Sequence, residues 1–161
     1  MEGQITLDTI DRRILRALQR DGRMTYDVLA QEVGLSPSAA LRRVKRLEES
    51  GAVAGYVALL SPERVGLPLT AYLNVRLEKH TERHKRNPMD LFRAAVQTWP
   101  EVVECASLTG EMDYLLRVVV KDTRDYERLL REKLYKIKGI RHSRSSFVLR
   151  TLKKADLPLG V

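Results

Sequence analysis

A single cysteine, Cys105, stands in 161 residues, so no disulfide can form within the chain and a bridged scaffold is excluded. No apolar run approaches the roughly 18 residues that a membrane-spanning helix needs. The opening Met1-Glu2-Gly3-Gln4-Ile5 lacks the basic and apolar stretches of an export signal, so the expectation is a soluble protein of the cytoplasm. Catalytic signatures are missing too: there is no Gly-x-Ser-x-Gly elbow, no phosphate loop and no Gly-x-Gly-x-x-Gly, which argues against an enzyme. What is present is 43% apolar and 31% charged side chains, enough to fold one ordinary domain or two small ones. A disordered or collagen-like chain is excluded by the same figures.

The net charge is +8, with 29 basic and 21 acidic residues, which points to a polyanionic partner without proving one. The excess is uneven. Residues 1–60 hold 9 basic and 8 acidic side chains, a net of +1, whereas residues 61–161 hold 20 and 13, a net of +7. Local placement, not gross charge, must therefore identify the reading surface.

The first sixty residues read as three short helices. Asp8 can cap one whose apolar stripe is Ile10, Ile14, Leu15 and Leu18, ending near Gly22. Thr25 can cap a second with Val28, Leu29 and Val33, stopped by Gly34. Ser36 supplies an N-cap oxygen for the third, and Pro37 follows it where a missing N–H costs nothing. That helix is expected over residues 37–50, with Gly51 beyond it. Residues 52–60 look extended, and Ser61-Pro62 and Gly66-Leu67-Pro68 break the chain, which makes residues 61–68 a linker. A unit of about 60 residues is marginal on its own, so it is expected to lean on a partner subunit.

Beyond the linker the period changes. Leu69, Ala71, Leu73, Val75 and Leu77 alternate with Thr70, Tyr72, Asn74, Arg76 and Glu78, a strand with one buried face. Helical spacing follows from Met89 to Trp99, then strands over 102–108 and 114–120, a helix opened by Asp122 or Thr123, and a closing strand over 140–152. The order β-α-β-β-α-β is the ferredoxin-like arrangement. Its helices cover one sheet face. Val103, Cys105, Leu115 and Val119 look too apolar for the other face to meet water, so a sheet-to-sheet homodimer is expected.

The fold class is thus α+β: a winged-type helix-turn-helix over residues 1–60 with its following hinge strand, a linker over 61–68, and a βαββαβ domain over 69–161. The motif that carries function is the helix pair joined by Gly34-Leu35-Ser36. At about 100° per residue, Ala40, Leu41, Val44 and Leu47 fall on one side of the third helix. Ser38, Ala39, Arg42 and Arg46 fall on the other, flanked by Arg43 and Lys45. From Ser36 to Leu47 there are four positive charges and no negative one. Arginine can give two parallel hydrogen bonds to a guanine edge, and either basic residue neutralises phosphate. Small Ser38 and Ala39 let the backbone approach bases, and the helix start at Ser36 favours a nearby phosphate. The DNA-binding set is therefore Ser36, Ser38, Ala39, Arg42, Arg43, Lys45 and Arg46. The plainer alternative, a solvated basic face on a core helix, does not explain why cap, turn and one-signed face occur together.

These residues give the chain a resemblance to the Lrp/AsnC, or feast/famine, transcription regulators. In the first half it lies in Leu7-Asp8, Asp11, Ile14-Leu15, Leu18-Gln19, Asp21-Gly22-Arg23, Leu29-Ala30, Val33-Gly34-Leu35-Ser36, Arg42-Arg43-Val44, Leu47-Glu48 and Gly55-Tyr56. In the second half it lies in Thr109-Gly110-Glu111, Asp113-Tyr114 and Phe147-Val148-Leu149. The resemblance implies double-stranded DNA as partner, dimers formed through the C-terminal sheets and often assembled to octamers, and an amino-acid effector held between dimers.

It also implies an effector site at Thr109, Gly110, Asp113 and Tyr114. A hairpin turn would explain the same loop, with Gly110 supplying unusual backbone angles and Asp113 bonding nearby amides. With a ligand, free N–H groups around Gly110 would hold a carboxylate and Asp113 would face an ammonium, which suits a zwitterion. His80 and His84 have a spacing that could hold zinc from a helix, but their basic surroundings repel a cation, so a solvated loop or a phosphate contact is preferred and no metal or other cofactor is expected. Cys105 and Trp99 read as packing residues. The competing function is an architectural protein that wraps DNA without a ligand, which the +7 of residues 61–161 favours.

Overall fold

The structure, a computed structural model, describes residues 5–79, 87–153 and 157–159. It divides into two compact units, Met1–Leu59 with Leu152–Val161, and Leu60–Thr151. His80 and His84 lie outside the described residues. Among the described residues no helix is long and apolar enough to cross a membrane.

The first unit holds α1 (Thr9–Arg20), α2 (Tyr26–Val33) and α3 (Pro37–Glu49). Each starts on a cap legible in the sequence. The Asp11 amide donates to Asp8 Oδ1 at 2.7 Å and the Asp8 amide to Asp11 Oδ2 at 3.1 Å, a reciprocal box that satisfies two helix-end donors. Thr25 and Ser36 accept from the Val28 and Ala39 amides. Gly34 takes φ of +73°, the left-handed conformation that ends α2 and turns the chain toward α3. Ile14, Leu15, Ala17, Leu29, Val33, Val44 and Leu47 form the buried core between the three helices. Val28, expected on the apolar stripe of α2, is half exposed.

One expectation for this unit needs correction. Residues 52–60 contain no strand, because a strand exists only with a ladder partner and none lies beside them among the described residues; Val57, Leu59 and Leu60 stay exposed. Residues 157–159, placed by sequence with the C-terminal domain, lie against α1 of the first unit. Arg16 donates from Nε and Nη2 to the Leu159 carbonyl at 3.0 and 2.7 Å, the Leu157 amide donates to Gln19 Oε1, and Leu159 packs on the helical core. No pattern within 152–161 announces a partner more than a hundred residues earlier.

The second unit runs β1 (Leu69–Leu77), α4 (Pro88–Val96), β2 (Val102–Ser107), β3 (Tyr114–Val120), α5 (Thr123–Glu132), a 3-10 turn (Leu134–Lys136) and β4 (Ile140–Phe147). The sheet order is β2-β3-β1-β4 with every neighbouring pair antiparallel, the ferredoxin-like arrangement expected. Ala71, Leu73, Val75 and Leu77 on β1 and Tyr114, Leu116, Val118 and Val120 on β3 turn to the helices, meeting Phe92, Val96, Trp99, Tyr126, Leu129 and Leu134. Gly139 is required by close approach: it has φ of +94°, and a Cβ there would lie 2.7 Å from that of Pro88, the first residue of α4.

The open face differs from its expected composition. A register shift between Val102 and Glu104 reverses the alternation along β2, so Cys105 stands opposite Leu116 on the helix-facing side. There the residue is exposed, because β2 is an outer strand, while partial desolvation of the thiol itself raises its pKa. Leu115 and Val119 do belong to the open face, between Leu116, Val118 and Val120 in the alternation, and are half-buried. Beside them the register puts Tyr72, Ala106, Arg117, Arg144 and Ser146. β4 stops at Phe147 rather than at residue 152, because its partner β1 starts at Leu69; the last ladder bond runs from the Val148 amide to the Thr70 carbonyl at 2.9 Å.

Candidate nucleic-acid interface and effector loop

On α3 the buried positions are Ala40, Val44 and Leu47, so the helix has a defined outer surface. Ser36, Ser38, Arg42, Lys45 and Arg46 are exposed on it, and Ala39 and Arg43 are half-buried. Ser36 Oγ lies 3.3 Å from the Ala39 nitrogen and 3.2 Å from Ser38 Oγ, which fixes the start of the helix. No acidic residue occupies its first turn. Pro37 has no N–H and the Ala39 amide is held by Ser36, which leaves the Ser38 amide at the helix start for an anion.

The four cations divide into two pairs. Arg42 and Lys45 have no hydrogen-bond or ion-pair partner among the described residues. Arg43 and Arg46 are engaged with the start of α1. Arg43 Nη1 donates to Asp8 Oδ2 at 2.6 Å and to Asp11 Oδ1 at 2.9 Å, and Arg46 Nη2 donates to Asp11 Oδ2. Asp11 is the one buried charged side chain among the described residues. The hydrogen bond from Arg43 holds the Asp8 carboxyl down at about 2, and the carboxylates raise the pKa of Arg43 in return. Asp8 therefore keeps its charge from neutral pH until the solution approaches pH 2, and the stabilisation it contributes is lost only below its unfolded pKa, as pH falls toward that value.

A second clasp holds the far end of α3. The Tyr56 hydroxyl donates to Glu48 Oε1 at 2.8 Å, and its ring lies so close to Gly22 that a Cβ there would stand 3.0 Å away. Burial and then the Glu48 hydrogen bond push the Tyr56 hydroxyl up to about 12. Sequence reasoning gave Asp8 a capping role only and gave Asp11 and Tyr56 no role beyond the resemblance. The Asp8-x-x-Asp11 spacing signals a capping box, but no local signal pairs it with arginines 32 and 35 residues later.

The expected effector residues separate in the same way. Thr109 and Gly110 are exposed on the loop between β2 and β3, where Gly110 has φ of +109°. Asp113 anchors the loop: its Oδ2 accepts from the Leu77 amide at 2.7 Å, its own amide donates to the Val75 carbonyl at 3.0 Å, and its carbonyl accepts from the Leu108 amide at 2.8 Å. Tyr114 is in the core, only 3% exposed, its ring 4.7 Å from that of Phe92 and its hydroxyl accepting from Arg93 Nε at 3.1 Å. Asp113 and Tyr114 thus tie the loop to the sheet, leaving Thr109, the Gly110 backbone and the second carboxylate oxygen of Asp113 open to a ligand.

Comparison with known proteins gives consistent results at every level. Residues 70–158 match the Lrp/AsnC ligand binding domain, and residues 7–54 match a winged helix-turn-helix DNA-binding domain. The chain is 41% identical over 152 residues to the Bkd operon transcriptional regulator of Pseudomonas aeruginosa, covering 94% of this chain and 97% of that protein. It is 38% identical over 150 residues to the leucine-responsive regulatory protein of Escherichia coli K12, covering 93% and 89%. Among solved structures, a transcriptional regulator from Neisseria meningitidis in complex with L-methionine superposes with a TM-score of 0.85 at 42% identity, covering 92% of this chain and 94% of that one. Matched nearly end to end in both sequence and fold, the chain belongs to the Lrp/AsnC family of transcriptional regulators.

Proposed function

We propose that α3 enters the major groove with Ser36, Ser38, Ala39, Arg42 and Lys45 against DNA, and that a small amino acid bound at the loop of Thr109 to Asp113 modulates that binding. The observation that carries the DNA reading is the pair of unpartnered cations, Arg42 and Lys45, on the exposed face of a helix whose opposite face is buried. Arg43 and Arg46 are kept out of the contact set because their guanidinium groups are already occupied. The test is a titration of a selected operator and of random DNA. Arg42→Ala should weaken operator binding by about 1–3 kcal/mol and relax preference at one position if the side chain reads a base. A uniform loss across sequences, with a shallower salt dependence, would make it a phosphate contact. No change in either would remove Arg42 from the interface, and sequence-independent protection by the wild-type protein would favour a wrapping role.

The assembly on this reading is a homodimer through the open sheet face, where Tyr72, Leu115 and Val119 are available, with dimers building toward an octamer. Its twofold symmetry calls for an inverted-repeat operator with half-sites about one helical turn, roughly 34 Å, or a multiple apart. Its place of action is the cytoplasm, with the chromosome. The effector chemistry is that of a zwitterion, carboxylate toward the Gly110 backbone and ammonium toward Asp113. Relatives named for leucine and solved with L-methionine make those two the first probes. Light scattering coupled to size exclusion, with and without each amino acid, should show a change of mass with the true effector. Asp113→Asn removes the charge but keeps an oxygen for the Leu77 amide, so the fold should survive while the effector response disappears. An unaltered response would leave Asp113 a turn residue only.

A further inference from the structure

Asp11 sits at the fixed end of a charge quartet. One of its oxygens meets Arg43, the other meets Arg46 and the Asp8 amide, and Asp8 completes the set by taking a second hydrogen bond from Arg43. Two carboxylates and two guanidiniums cancel. The N-terminus of α1 contributes further positive potential that holds both acids in place. Of the four cations on α3, only Arg42 and Lys45 remain to act on a polyanion.

We infer that Asp11 is a positioning residue for DNA selectivity, which acts by withholding Arg43 and Arg46 from the phosphate backbone. The reason is energetic. Phosphate attraction is blind to sequence and supplies nearly all non-specific binding, so each cation left free on α3 strengthens every site alike. An arginine turned toward α1 adds nothing to that background and also fixes which face of α3 meets the groove. Arg46 shows the effect most clearly, because its side chain is 51% exposed and yet committed to a fully buried carboxylate. The inference rests on α3 being the DNA-reading helix, and the experiment separates the two.

The measurement is binding of random double-stranded DNA over a range of salt, together with the ratio of operator to random affinity. Asp11→Asn preserves shape and removes the only charged partner of Arg46 among the described residues, while Arg43 loses one of its two and keeps Asp8. The salt slope should steepen by about 0.9 for each arginine that reaches a phosphate, random-DNA affinity should rise, and the selectivity ratio should fall. A purely structural role would lower the melting temperature and both affinities without steepening the slope, and that result overturns the inference. Arg46→Gln, at an exposed position, decides the matter even if Asp11→Asn does not fold: its slope should equal that of the wild type, and a slope shallower by about 0.9 overturns the inference. The double variant Arg42→Gln with Lys45→Gln addresses the underlying reading. Its slope should become shallower; an unchanged slope would show that α3 does not face DNA at all.

Discussion

Val44→Asp should abolish DNA binding while leaving the second unit folded. Val44 is buried between α1, α2 and α3 with Ile14, Leu29 and Leu47, and it makes no surface for DNA. A carboxylate at this buried position must lose its hydration, which costs about 4 kcal/mol or more. A helical unit of roughly 60 residues has little stability to lose. The three helices should therefore come apart, and the exposed cations of α3 lose the rigid presentation that the groove requires. Trp99, the only tryptophan, belongs to the core of the other unit, so its fluorescence melt reports that unit alone. Loss of helical circular dichroism and of operator binding, with the Trp99 transition unmoved, is the expected result. Retained operator binding would show that the buried face of α3 has been misassigned.

Phe92→Ala should produce the largest loss in the second unit, about 3–5 kcal/mol. The ring is fully buried at the centre of the helix-to-sheet contact, 4.7 Å from Tyr114 and edge-on to Trp99 at 6.4 Å. Removing it leaves a cavity between three elements that cannot collapse together. The consequence reaches the candidate effector loop, because Tyr114 packs on Phe92 and directly follows Asp113. Urea unfolding followed at Trp99 should show the lower midpoint. The amino-acid response should weaken at temperatures where the variant is still folded. A loss below about 1 kcal/mol would mean that the neighbouring side chains close the space.

How far the site was legible in the sequence depends on how far apart its partners are. The exposure of Arg42 and Lys45 and the burial of Ala40, Val44 and Leu47 follow from helical periodicity within one segment. The different fates of Arg42 and Arg43, adjacent residues of identical chemistry, do not. They depend on which of the two faces Asp8 and Asp11, more than thirty residues earlier. Tyr114 is a similar case. Its motif placed it with the effector loop, but strand alternation turns its ring inward, against Phe92, while Asp113 beside it gives one oxygen to the end of β1.

The sequence by itself determined the three helices and their caps, the left-handed turn at Gly34, the βαββαβ order and the one-signed surface of α3. These rest on interactions among residues a few positions apart, such as Asp8 with Asp11 or Ser36 with Ala39, which spacing alone encodes. Tertiary structure decided what depends on distant partners. Residues 52–60 form no strand because nothing pairs with them. The register shift at Val102 turns Cys105 to the other face of the sheet. The closing segment lies on α1 because Arg16 and Gln19 offer hydrogen bonds there. Two of the four cations of α3 are neutralised because folding brings a buried carboxylate to them. A charge pattern fixes which groups are available, but only the packed chain fixes which of them are already paired.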